Sequence, residues 1–125
     1  MLYYPALFRK GETAIIVTFP DVPAAITQGK DYNEAYEMAF EVLGLVLEDC
    51  ADYPEPSNIE TLQKEHPEDT IAIIAIDMVA YRRKYHSKKI RKNVTIPEWL
   101  NDLAEADNLN FSQVLTEALE AKLQV

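Results

Sequence analysis

Lys88–Trp99 reads KKIRKNVTIPEW. A basic run passes into a short alternating segment and then into a proline. Side chains of an extended chain point to opposite faces in turn, so Val94 and Ile96 share one face and Arg91, Asn93 and Thr95 share the other. Pro97 suits the first turn of a helix, where the N–H it lacks would have no partner. Leu100, Leu103 and Ala104 follow at helical spacing and predict a helix from Pro97 to about Ala106. Asp107-Asn108 makes the turn, because Asn tolerates a left-handed backbone. Asn110 and Gln113 then have the spacing of an N-cap and its N3 partner, and Val114, Leu115, Ala118, Leu119 and Leu123 give the second helix an apolar stripe. A lone strand must pair its backbone groups somewhere, and a strand with two short helices cannot bury its own apolar faces. A second copy of the chain supplies both needs. The C-terminal third reads as an obligate-dimer module.

The chain of 125 residues suits one ordinary domain or two small ones, and a hydrophobic share of 48% is enough for a core. The single cysteine, Cys50, can form neither an internal disulfide nor, alone, a metal site, which fits a reducing cytoplasm. No run reaches the roughly 18 apolar residues of a membrane span. MLYYPALFRKG lacks the basic-then-apolar order of a secretion signal. A soluble, cytoplasmic protein is expected.

The first 80 residues read as a small α+β layer. Met1–Phe8 and Thr13–Phe19 are apolar runs parted by Arg9-Lys10-Gly11-Glu12, which predicts a hairpin. Pro20-Asp21-Val22-Pro23 breaks the second run, and Ala24–Thr27 reads as a short third strand. Asp31 and Glu34 have the spacing of a capping box. Ala35, Met38, Ala39, Val42, Leu43, Val46 and Leu47 then form one stripe, predicting a helix that fades near Cys50. Tyr53-Pro54-Glu55-Pro56-Ser57 is a rigid connector, and Ile59–Glu68 has room for one loose helical turn. Thr70–Met78 (TIAIIAIDM) is almost continuously apolar, which predicts a strand buried on both faces in the middle of its sheet. The order is β-β-β-α-β, with a helix on one face of a sheet.

Charge divides the chain. Residues 1–80 hold 4 basic and 15 acidic side chains, whereas residues 81–125 hold 8 basic and 6 acidic ones. Arg82, Arg83, Lys84, Lys88, Lys89, Arg91 and Lys92 lie in one acid-free run. An acidic front and a basic junction suggest two partners of opposite sign, set against the plainer reading of a solvated linker beside an acidic surface. The organisation expected is an α+β domain over 1–80, a basic linker over 81–88 and the dimer module over 89–125.

Lys88–Leu123 resembles a ribbon-helix-helix DNA-binding domain: a basic strand, KNVTIP, a helix, a turn at Asn108, and NFSQ opening a second helix. The front of the chain resembles the HicB antitoxin family in the order of YYPALF, VTFPDVP, ITQG with Asp31, the Asn33-Glu34-Ala35 helix and YPEPS. The resemblance implies a partial ribonuclease-H-like domain that masks a HicA-type, mRNA-cleaving toxin, followed by a homodimeric domain that represses its own operon. Some members of that family carry a helix-turn-helix tail instead, so operator geometry does not carry over from them.

In a ribbon-helix-helix dimer the paired strands enter the major groove, which admits a two-stranded ribbon. Alternation then assigns Arg91, Asn93 and Thr95 to bases and Val94 and Ile96 to the core beneath. Arg suits guanine, Asn suits adenine, and Thr offers a hydroxyl and a methyl. The competing reading is an ordinary polar strand face. Lys88, Lys89 and Lys92 would attract phosphate without regard to sequence, and the helix start at Asn110, Phe111 and Ser112 could clamp one; a plain helix cap explains the latter equally. Arg82, Arg83 and Lys84 could instead stay in solvent as hinge residues. Toward a basic toxin, Glu34, Glu37, Glu41, Glu48, Asp49 and Asp52 are the candidate surface, with a solvated helix face as the alternative.

Catalysis is not expected. A ribonuclease-H site needs carboxylates gathered around divalent metal. Asp21, Glu48 and Asp77 are the candidates, yet Asp21 sits in a Pro-flanked turn and Asp77 near a strand end. His66 and His86 form no ligand or triad pattern, so neither a metal nor a cofactor is expected. The rival non-enzyme reading is a dimeric repressor whose front domain senses a small ligand. It would need a pocket lined by Tyr and Phe.

Overall fold

The structure, a computed structural model, describes residues 1–125. Four strands, β1 (Leu2–Lys10), β2 (Ile15–Thr18), β3 (Ile26–Gly29) and β4 (Thr70–Ile76), form an antiparallel sheet in the order β3-β2-β1-β4. The central strand is therefore β1 and not Thr70–Ile76, which lies at an edge. In β4, Ile74 and Ile76 are 0% and 1% exposed whereas Ile73 is 48% exposed. The segment is one-sided, but its outward positions are also Ile and Ala, and this hides the period of two. β2 pairs with β1 only from Leu7 to Lys10, so Pro5 sits where β1 has only β4 beside it. A proline there leaves one side of β1 without a ladder to break.

The hairpin closes through the Gly11 N–H on the Ala14 carbonyl at 2.8 Å. Turns at Phe19–Val22 and Val22–Ala25 carry the chain round, with Val22 and Ala25 buried. The third strand starts at Ile26, two residues later than expected, because the turns use Ala24 and Ala25.

The helix α1 (Tyr32–Leu47) covers one face of the sheet with Ala35, Ala39, Leu43 and Leu47. Its capping box forms as predicted at the first contact: the Glu34 N–H donates to Asp31 at 2.8 Å. The returning Glu34 carboxylate accepts instead from the Lys30 N–H at 3.1 Å. Two glycines let other elements approach closely. A Cβ on Gly29 would lie 2.3 Å from the Ala35 nitrogen, and one on Gly44 would lie 2.2 Å from the Tyr81 ring.

Two helices exceed expectation. α2 (Ile59–Glu65) is a full two-turn helix because Asn58 accepts from the Glu60 and Thr61 N–H groups and Leu62 is buried. α3 (Met78–Tyr85) occupies most of the segment expected to be a basic linker. Asp77 caps it by accepting from the Val79 and Ala80 N–H groups. Tyr81, 5% exposed, joins the core against Phe40 and Gly44. The first compact unit accordingly runs Met1–His86.

Ser87–Val125 is a second unit. The strand expected before Pro97 does not form, since the chain offers its backbone no partner strand: residues 87–97 carry no regular structure, α4 spans Glu98–Ala106 and α5 spans Phe111–Leu123. Asn108 adopts φ 55°, and the Leu109 N–H donates to the Ala104 carbonyl while the Asn108 N–H donates to the Glu105 carbonyl, the two hydrogen bonds of a Schellman cap. Asn110 accepts from the Gln113 N–H at 3.1 Å. No residue of this unit is buried.

Candidate functional site

In the first unit, the residues of the FPD and YPEPS segments are brought together. Asp21 accepts from the Ser57 N–H at 2.9 Å and from the Ser57 hydroxyl. The Tyr4 hydroxyl donates to the Pro54 carbonyl at 2.7 Å. Burial, and then the charge of Asp21, hold the Tyr4 phenol above its usual range. These bonds hold the proline segment to the sheet, and its Pro56 and Ser57 meet Tyr3, Pro5 and Ile73, positions that alternate with the core-facing Tyr4 and Ile74. An open groove of about 260 Å³ results, lined by Tyr3, Pro5, Pro56, Ser57, Ile59 and Ile73. Its only aromatic is Tyr3, so it is not the Tyr- and Phe-lined pocket that a ligand sensor would need.

The three carboxylates considered for metal chemistry each have a structural task. Asp21 holds Ser57, Asp77 caps α3, and Glu48 Oε2 lies 2.7 Å from His86 Nε2. Among the surface acids, Glu34, Glu37, Glu41 and Glu48 recur at three-, four- and seven-residue steps and share one ridge of α1. Glu37 and Glu41 are exposed, whereas Glu34 and Glu48 also serve the cap and His86. Asp49 and Asp52 follow the helix end and are exposed.

Sequence reasoning missed three contacts. Arg9 Nε and Nη2 bond both oxygens of Asp69 at 2.8 and 3.0 Å, with His66 Nδ1 at 3.6 Å. This Arg9 hydrogen bond holds the Asp69 carboxyl below its usual range against the opposing effect of burial. The Tyr81–Gly44 and His86–Glu48 contacts were equally hidden, since a basic stretch carries no outward sign of packing. Tyr81 and Tyr85 at helical spacing, with ring centroids 4.7 Å apart, were the available signal.

In the second unit, Lys88, Lys89, Arg91, Lys92, Asn93 and Thr95 are all exposed on the segment without regular structure. At the start of α5, Asn110 satisfies Gln113, and the N–H groups of Phe111 and Ser112 precede any helical acceptor. Val94, Ile96, Trp99, Leu100, Leu103, Leu109, Val114, Leu115 and Leu119 are between 37% and 65% exposed. Leu100, Leu103, Ala104 and Leu109 line an open cleft of about 470 Å³.

Residues 4–118 match the family described as the HicB-like antitoxin of bacterial toxin–antitoxin systems. The chain belongs to that family. Among curated relatives, this HicB-like antitoxin is 27% identical over 123 residues to "Antitoxin HicB 2" of Photorhabdus laumondii, covering 94% of this chain and 88% of that protein. Among solved structures, a chain of a toxin–antitoxin complex from Streptococcus pneumoniae is 31% identical, with coverage of 97% and 98% and a TM-score of 0.57. The antitoxin HicB of Burkholderia pseudomallei shares the fold at 21% identity, with coverage of 95% and 96% and a TM-score of 0.54. The protein is thus an antitoxin of a toxin–antitoxin system, with a mixed α+β fold. No helix is long and apolar enough to cross a membrane.

Proposed function

We propose that this antitoxin divides two tasks between its units. The first, with its partial ribonuclease-H-like sheet, binds and masks a HicA-type mRNA-cleaving toxin. The second dimerises as a ribbon-helix-helix domain and represses the antitoxin's own operon. The observation that carries the second task is the C-terminal unit itself: strand-like alternation, two capped helices and no buried residue. A second copy covers that apolar face and pairs the open backbone of residues 91–96.

Antiparallel pairing of the two copies sends Val94 and Ile96 into the shared core and Arg91, Asn93 and Thr95 into the major groove. Lys88, Lys89 and Lys92 add attraction to phosphate, and the Phe111 and Ser112 N–H groups at the start of α5 clamp one. On the first unit, the acidic ridge of Glu34, Glu37, Glu41 and Glu48, with Asp49 and Asp52, steers a basic toxin toward the sheet. Masking requires no chemistry from this chain.

Replacing Arg91 with Ala should weaken operator binding by roughly 1–3 kcal/mol and relax preference at one base pair, leaving toxin neutralisation intact. A fragment must run to His86, because Tyr81 belongs to the core. Met1–His86 should neutralise toxin in a growth assay and fail to shift operator DNA. A folded fragment that does not neutralise would show the division of labour to be wrong.

A further inference from the structure

β4 and β3 are the two edges of the sheet, and they are unlike. β3 has four residues, and its end at Gly29 lies against the backbone of α1. β4 has seven, TIAIIAI, paired without a bulge to β1 along its whole length. It carries no proline and no charge, the devices by which natural edges avoid pairing with other chains. None of its backbone groups bonds to a loop or helix on the outer side. An edge left so open in a stable unit is a place for another strand.

The groove of Tyr3, Pro5, Pro56, Ser57, Ile59 and Ile73 adjoins this edge on the face away from α1. Strand addition takes affinity from main-chain bonds and specificity from pockets that receive alternate side chains. Ile73, on the edge strand, is also a wall of the groove. Side chains of an added strand that lie beside Ile73 would enter it. Those on the other face would meet Ile74 and Ile76, already covered by the core.

We infer that the outer edge of β4 and this groove form a strand-addition site for an extended apolar segment of the toxin, flanked by basic residues. The inference rests on the toxin-binding reading above. Charge selects the occupant. Glu55 and Glu60 bracket the groove residues Pro56–Ile59, Glu68 precedes β4 and Asp77 follows it. Antiparallel pairing of two copies of β4 would bring Glu68 of each toward Asp77 of the other, and this disfavours a second copy. A basic partner meets opposite charge at both ends.

The test uses the full chain and the HicA-type toxin of its operon, with amide hydrogen exchange and binding kinetics. Toxin should slow exchange at amides of residues 70–76. Ile73→Lys places a charge on an exposed edge position, so the chain should melt as wild type while toxin dissociates roughly tenfold faster or more. Glu37→Lys with Glu41→Lys on α1 should instead slow association and leave dissociation unchanged. Protection on α1 without protection on β4, or unaltered dissociation from Ile73→Lys, overturns the strand-addition site and leaves the antitoxin reading standing. Protection of β4 before toxin is added, with a smaller assembly for Ile73→Lys, assigns the edge to a second copy and also overturns it. Failure of the wild-type chain to bind the toxin removes the toxin-binding reading itself, and this site with it.

Discussion

The two units solve the burial problem in opposite ways. Met1–His86 closes a core in one chain, with Tyr4, Phe19, Leu43, Leu47, Ile74 and Ile76 each at 2% exposure or less. Ser87–Val125 has two helices, with caps at the Asn108 turn and at Asn110, and no buried residue. Good local signals therefore do not make a stable unit. Caps contribute about 1 kcal/mol each, whereas a buried leucine side chain contributes roughly twice that. The first unit should have a stability of its own, and that of the second should depend on protein concentration.

The sharpest way to break this contrast is Leu103→Asp in the open cleft of α4. Once a second copy covers that face, a buried carboxylate there should cost about 3–5 kcal/mol per copy. Circular dichroism should lose the helicity of α4 and α5, and light scattering should report dissociation, while the first unit still melts cooperatively. Unchanged mass would mean that the apolar face is not the dimer contact.

The complementary change is Leu43→Ala on α1. It should lower the stability of the first unit by about 2–5 kcal/mol in denaturant melts and leave operator affinity unaltered. A parallel loss of DNA binding would show that the units are energetically coupled.

The smallest effect expected is that of Asp69→Asn. It should cost about 1 kcal/mol at neutral pH, modest because the partner Arg9 is 66% exposed to screening solvent. The Asp69 carboxyl is depressed when folded, so its contribution is present above the ordinary carboxylate range and lost as pH falls through the lower folded value. Melts of variant and wild type should differ at pH 7 and converge on acidification below about pH 4.

What was legible in the chain followed from periodicity and caps. The stripe of α1, the Asp31–Glu34 pair, the left-handed Asn108 and the Asn110 cap are local, and the structure forms each of them. The order of the sheet was not local. TIAIIAI carries the same apolar signal as a central strand because Ile73 and Ala75 face outward yet are not polar. Asp77 read as a carboxylate near a strand end and works as a cap, so the basic stretch after it becomes helix and packs Tyr81 on Gly44. A proline segment and an aspartate far apart in the chain gave no hint that Ser57 would meet Asp21. For the surfaces, residue types pointed to charge and alternation, whereas the open edge beside a groove emerged only from topology.

The pairing of β1 with β4 also sets a timetable for the newborn chain. Leu2 meets Ile76 and Phe8 meets Thr70, so the central ladder joins residues far apart in sequence and cannot begin early. Until Ile76 leaves the ribosome, the apolar Leu2–Phe8 has no β4 partner and stays a sticky nascent segment. The sheet of the first unit is thus completed only once β4 has been made. Premature stops before Thr70 leave the central strand without one of its two ladders.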